Sequence, residues 1–203
     1  MSEISSKHIK SVIEAAIELF KEKGYENVSV NDICKAAGVA RSSFYLMFSG
    51  KKDIVDRILS DVRLDSNELT NDLITAKNDF ERMWVLCNRY LKVANSFGPE
   101  MTGTMFRLEL LDEIDLLDEV HKIDDWMIEL TRNAQEMGVI KSPEPAEIIA
   151  PASVDIVYYA TYEWCKSKGG FSLQRRAREL SEAVLNVAPA YRWTEEQKDK
   201  TEF

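Results

Sequence analysis

The residues Ile33 to Ile54, ICKAAGVARSSFYLMFSGKKDI, begin as an amphipathic helix, break at a glycine, and restart within two residues as a short run of arginine, serines and aromatics. Two helices joined this closely must cross at a steep angle. Glycine supplies the positive φ that such a turn needs, small residues near the crossing let the backbones approach, and spaced apolar side chains lock the pair. The stretch has each part: Cys34, Ala36 and Ala37 are small, Gly38 takes the turn, and Ile33, Val39, Phe44 and Met47 form the lock. Arg41, Ser42, Ser43 and Tyr45 are left on the outer side of the second helix. A recognition helix presents its side chains to base edges and phosphates of a major groove from that position.

The preceding residues supply a supporting helix. Lys7 to Lys23 place Val12, Ile13, Ala16, Ile17 and Phe20 on one face, and Gly24 follows as a C-terminal cap. Ser29, with Asp32 three residues on, forms a capping box that uses Asp in place of Glu and opens the helix carrying Val30, Ile33, Cys34 and Ala37.

This set of spacings resembles the DNA-binding domain of the TetR (tetracycline-repressor) family of regulators. The resemblance is carried by Gly24-Tyr25, Ser29-Val30, Ala37-Gly38-Val39, Ser43-Phe44-Tyr45 and Phe48-Ser49-Gly50-Lys51. It covers the first quarter of the chain closely and the rest only in helix layout. It implies that Arg41, Ser42 and Ser43 face base edges and nearby phosphates, and that Tyr45 donates to a phosphate. Lys51 would hold another phosphate at the start of the fourth helix, and Ser29 would cap or contact the backbone. Four positions depart from the family pattern and put the base preference in doubt. Ala40 replaces a capping serine, Ser42 stands where glycine is frequent, and Leu46 and Met47 stand where polar or histidine side chains are common.

Charge separates the chain into two parts. Residues 1 to 57 hold nine Lys or Arg against eight Asp or Glu, leaving 17 against 27 in residues 58 to 203. So acidic a second part repels phosphates, which confines any nucleic-acid contact to the first part and disfavours diffuse binding. The expected division is a helix-turn-helix domain over 1–50, a helical effector-binding and dimerisation domain over 51–193, and a loose polar tail over 194–203. No basic-then-apolar leader and no run long enough to span a bilayer stands out, so a cytoplasmic protein without a membrane partner is expected. Cys34, Cys87 and Cys165 are far apart and in no CxxC spacing, and read as reduced, mostly buried thiols.

The periodicity predicts an all-α fold of about nine helices. The fourth helix should run from Lys51 to about Leu69, the fifth from about Asp79 to Ser96 with Gly98-Pro99 ending it, and the sixth from about Glu100 to Leu110. The seventh should run from about Asp112 to Met137. Pro143 and Pro145 precede an eighth helix ending near Lys168, which Pro151 should bend or limit to a start nearer Ala152. Ser172 caps a ninth. The run Val154 to Trp164 is apolar almost all round, so the eighth helix needs cover on more than one side. The resemblance implies that the last two helices pair with their copies in a second subunit, giving a homodimer whose symmetry suits a palindromic operator in double-stranded DNA.

Aromatic and sulfur-bearing residues in the second part are the candidate walls of a pocket: Trp84, Cys87, Tyr90, Met105, Phe106, His121, Trp126, Tyr158, Tyr159 and Tyr162. Any one of them can equally fill a core. The resemblance implies an apolar or aromatic small-molecule effector of unspecified identity. No cofactor or metal is expected. A di-iron bundle would need two Glu-x-x-His turns, and the chain has one distant analogue, Asp118-x-x-His121. No G-x-S-x-G, H-E-x-x-H or phosphate-binding glycine loop is present, so an enzyme is not expected. The expectation is a sequence-specific transcriptional regulator, a repressor released by its effector. A ligand-dependent activator, or a ligand-binding helical dimer that does not read DNA, is the alternative.

Overall fold

The structure is a computed structural model that describes residues 3–63, 66–111, 113–114 and 123–199. Among these residues the secondary structure is helical, with a single isolated antiparallel bridge between Ile140 and Val187. The helices are α1 (Glu3–Lys23), α2 (Val30–Ala37), α3 (Arg41–Tyr45), α4 (Lys51–Arg63), α5 (Ser66–Thr75) and α6 (Asp79–Leu110). They continue with α7 (Asp124–Glu136), α8 (Ala146–Lys166), α9 (Leu173–Val184) and α10 (Glu195–Asp199). Short 3₁₀ turns lie at Tyr25–Asn27 and Pro189–Tyr191.

The chain forms two compact units. The first holds Met1–Leu64 with Glu100–Leu116, the second Asp65–Pro99 with Leu117–Phe203. In the first unit, Val12, Ala16 and Phe20 of α1 are buried, as are Ile33 and Cys34 of α2, Phe44 of α3, and Ile54, Val55 and Ile58 of α4. Ser11 Oγ donates to the Ala37 carbonyl at 3.1 Å, fastening α1 to the end of α2. Arg107 pairs with Glu26 at 2.5 Å and ties the residues after Pro99 to the 3₁₀ turn behind α1.

The second unit has two apolar clusters. One gathers Phe80, Met83, Met127, Leu130, Ile140, Ile149, Leu185 and Val187, the other Trp84, Leu91, Val157, Trp164, Leu173 and Ala177. The fully buried Arg178 of α9 lies beside them. Its guanidinium donates to Glu182 at 2.7 Å and to both carboxylate oxygens of Glu81, and it stands over the rings of Phe80, Trp84 and Trp193. A buried guanidinium is tolerated only when so many of its donors are satisfied.

Several helix boundaries differ from expectation for local reasons. The expected fourth helix is described in two stretches, α4 and α5, on either side of residues 64–65, which lie outside the described set, and helix extends past the expected end near Leu69 to Thr75. The expected fifth and sixth helices are both present within α6 and are separated, as expected, at Gly98, whose non-helical φ of 80° and ψ of 166° kink the chain between them. Glycine alone adopts that backbone cheaply, and Pro99 then occupies a first-turn position, where its missing N–H costs nothing. The expected seventh helix is observed only from Asp124. Glu113 and Ile114 are not helical, and most of the residues between them and α7 lie outside the described set. Pro151 does not delay α8, which starts at Ala146; so near a helix start, proline removes only one intrahelical bond. The tail expected to be loose carries α10, entered through Thr194, whose N–H and hydroxyl bond Gln197 Oε1 at 2.9 and 3.2 Å.

Candidate nucleic-acid interface and ligand cavity

The first unit presents a helix-turn-helix. The Ser29 hydroxyl accepts the Asp32 N–H at 3.2 Å, while the Asp32 carboxylate accepts the Ser29 N–H at 2.9 Å, closing a capping box. The Ser29 hydroxyl also donates to the Asp32 carboxylate, and that bond, with the one from the Ser29 N–H, holds the Asp32 carboxyl below the usual carboxylate range. Ser29 is therefore engaged as a cap. Gly38 ends α2 in the left-handed region, φ 68° and ψ 29°, and Val39 N–H returns to the Cys34 carbonyl at 3.0 Å. That closure turns the chain into α3 within three residues.

On α3, Phe44 is fully buried and stacks at 5.7 Å against Phe48, anchoring the helix by its inner face. Arg41, Ser42 and Tyr45 are exposed and Ser43 is half-buried. The Arg41 guanidinium lies over the Tyr45 ring at 5.6 Å and its Nη2 stands 3.5 Å from the Tyr45 hydroxyl, which raises the Arg41 pKa further. The two form a pre-arranged pair on one flank of the helix. Lys51, at the start of α4, is placed differently: its Nζ donates to the Tyr25 carbonyl at 2.6 Å and lies 4.4 Å from the Tyr25 ring centre. Burial lowers its pKa. One of its three donors is thus committed to the fold, and a phosphate would have to meet the other two.

The second unit contains an apolar cavity of about 40 Å³ lined by Leu86, Cys87 and Tyr90 of α6, Ile123 and Met127 at and within α7, and Val154, Val157 and Tyr158 of α8. At ~10–15 Å³ each, that admits roughly three waters. Burial alone pushes the Cys87 thiol up to about 12.

Of the predicted pocket residues, Cys87, Tyr90 and Tyr158 line this cavity. Trp84 is buried edge-on against Trp193, with ring centres 5.4 Å apart, and fills core. Trp126, Tyr159 and Tyr162 are exposed, Met105 and Phe106 are buried residues of the first unit, and His121 lies outside the described residues. Leu86, Ile123, Met127, Val154 and Val157 line the cavity and were missed. Ile123 and Met127 lie at helical apolar spacing and Val154 and Val157 in the almost wholly apolar run of the eighth helix, and neither pattern separates cavity wall from core. Among the described residues no cluster of three His, Cys, Asp or Glu side chains is placed to hold a metal, and no helix is long and apolar enough to cross a membrane.

Fold and site together define an all-helical helix-turn-helix protein whose second helical unit holds an apolar cavity. Residues 12–58 match the family described as bacterial regulatory proteins, tetR family. Those residues carry the family's N-terminal domain, and the curated relatives that match this chain are named as transcriptional regulators. It is 31% identical over 80 residues to the uncharacterized HTH-type transcriptional regulator YvdT of Bacillus subtilis (strain 168), a match spanning 39% of this chain and 41% of that protein. It is 39% identical over 46 residues to IcaR of Staphylococcus aureus (strain Newman), the negative regulator of the biofilm operon icaADBC, spanning 23% of this chain and 25% of IcaR. The chain thus matches less than half the length of these curated relatives. Among solved structures, FadR from Bacillus subtilis in complex with stearoyl-CoA superposes with a TM-score of 0.64 at 20% identity, covering 87% of this chain and 95% of that one. That likeness is one of fold.

Proposed function

We propose that this protein is a ligand-responsive transcriptional regulator that binds a palindromic operator as a homodimer and represses until an effector enters the second unit. The observation that carries the reading is the outward face of α3: Arg41, Ser42 and Tyr45 are exposed on a helix pinned from behind by Phe44 and turned by Gly38. Arg41, Ser42 and Ser43 serve as base-edge and near-phosphate contacts, Tyr45 as a phosphate donor, Lys51 as a phosphate contact and anchor, and Ser29 as the cap that sets α2. IcaR, by its name a negative regulator, supports repression as the output.

Cys87, Tyr90 and Tyr158 form the predicted part of the effector wall, with the five apolar residues beside them. A cavity of about 40 Å³ must widen to take a ligand of several carbons. The arrangement that binds effector then differs from the one seen here, and only such differential affinity can shift DNA binding. The dimer reading rests on apolar side chains left exposed on the last long helices: Ile148, Tyr159 and Tyr162 of α8 and Val184 of α9.

The test is to incubate the purified protein with sheared DNA of its source organism at moderate salt and sequence what is retained. Enrichment of an inverted repeat is expected, with release on adding an effector. Long-chain acyl-CoA and free fatty acid are the first probes, because FadR binds stearoyl-CoA. Retention of nothing by a folded dimer would overturn the DNA-binding reading.

A further inference from the structure

The outward face of α3 has an apolar centre. At about 100° per residue, Ser42 and Leu46 each lie about 160° round the helix from the buried Phe44, so these two side chains point most directly away from the unit. Leu46 keeps helical backbone angles (φ −77°, ψ −19°) as the C-cap, so this spacing extends to it. It is 88% exposed, the most exposed large apolar side chain among the described residues. The Arg41–Tyr45 pair flanks it on one side and the half-buried Ser43 on the other.

Leucine offers no donor or acceptor. Pressed against the polar edge of guanine, cytosine or adenine, it would desolvate groups without pairing them, at a cost. Of the features a major groove displays, the thymine C5-methyl group is the one an aliphatic side chain complements. Ser42, beside it, bonds to either kind of edge and discriminates weakly. We propose that Leu46 is a specificity-determining residue that reads a thymine methyl group, one in each half-site. The inference rests on the DNA-binding reading above and assigns base preference within it.

The test uses the full chain and the half-site enriched by DNA retention. Each thymine in turn is replaced by deoxyuridine, which removes only the methyl group, and Kd is read by fluorescence anisotropy. One position is expected to weaken wild-type binding about fourfold per half-site, the worth of one buried methyl. Leu46→Ala should bind the unmodified operator more weakly and be indifferent to that replacement, while Leu46→Met keeps the dependence. Changing that T·A pair to C·G should also weaken binding, and 5-methylcytosine in place of that cytosine should recover part of the loss. Unchanged melting temperatures confirm that these exposed-site variants fold. Wild-type affinity unaffected by deoxyuridine at every thymine, or a Leu46→Ala variant that keeps the full dependence, overturns the proposal while leaving an operator-binding protein intact. Retention of no DNA overturns both readings together.

Discussion

At the residue scale, the turn between α2 and α3 depends on one backbone conformation. Gly38 sits at φ 68°, and a Cβ added there would meet nothing within 4 Å, so its replacement costs backbone strain and no clash. Gly38→Ala should lower stability by about 1–2 kcal/mol in urea unfolding. A change below 0.3 kcal/mol would mean that the turn relaxes. The thiols offer a second measurement. Burial raises Cys87 to about 12 and Cys165 to about 11 from the ordinary 9.0. A folded-state pKa above the unfolded one gives stability that is complete below about pH 9 and declines as pH climbs toward 11 to 12. Both thiols should therefore react with iodoacetamide at pH 8 at least tenfold more slowly in the folded protein than in urea. Fast alkylation of Cys87 would show a cavity more open than the one described.

At the element scale, one ionic cluster joins α6, α9 and the segment after α9. Arg178 bonds Glu81 and Glu182 and reaches the Tyr191 carbonyl at 3.4 Å, while Trp193 N–H bonds the same Glu182 at 2.8 Å. Removing the cation strands two carboxylates, one of them buried, so Arg178→Ala should destabilise by about 3 kcal/mol. Replacing all three charges by Met and Gln should recover much of that, as measured by thermal unfolding. If Arg178→Ala were neutral, the aromatic rings around the guanidinium would be holding the segment without it. Nothing in the periodicity pointed to this cluster, because Arg178 reads in sequence as an ordinary surface residue of an amphipathic helix.

At the scale of the whole molecule, charge shapes DNA binding. The chain carries a formal net charge of −9, with the excess acid in residues 58 to 203. Attraction to phosphate is then local to a few side chains, and the remainder opposes it. A scrambled duplex should bind at least ~10³-fold more weakly than the operator at physiological salt, at the low end of specific binders. Operator binding should weaken steeply as salt rises. Affinities for operator and scrambled duplex within tenfold of each other would contradict a local, sequence-reading interface.

The sequence by itself determined the helical class, the capping box at Ser29, the glycine turn at Gly38 and the outward set on α3. Each depends on residues within a few positions of one another, where propensity, capping and left-handed φ act directly. It determined the apolar positions of α6, α7 and α8 as well, but not which of them face a cavity. Trp84 and Tyr90, six residues apart on α6, end as core filler and cavity wall because of what α8, α9 and Trp193 place against them. Only the tertiary structure decided that Glu100–Leu116 belongs with the first unit and that Arg178 is buried. It also decided that the Lys51 ammonium is held by the Tyr25 carbonyl. These outcomes depend on partners 26 to 97 residues away. Packing free energy at such separations is set by shape and charge brought together in space, which no local pattern along the chain encodes.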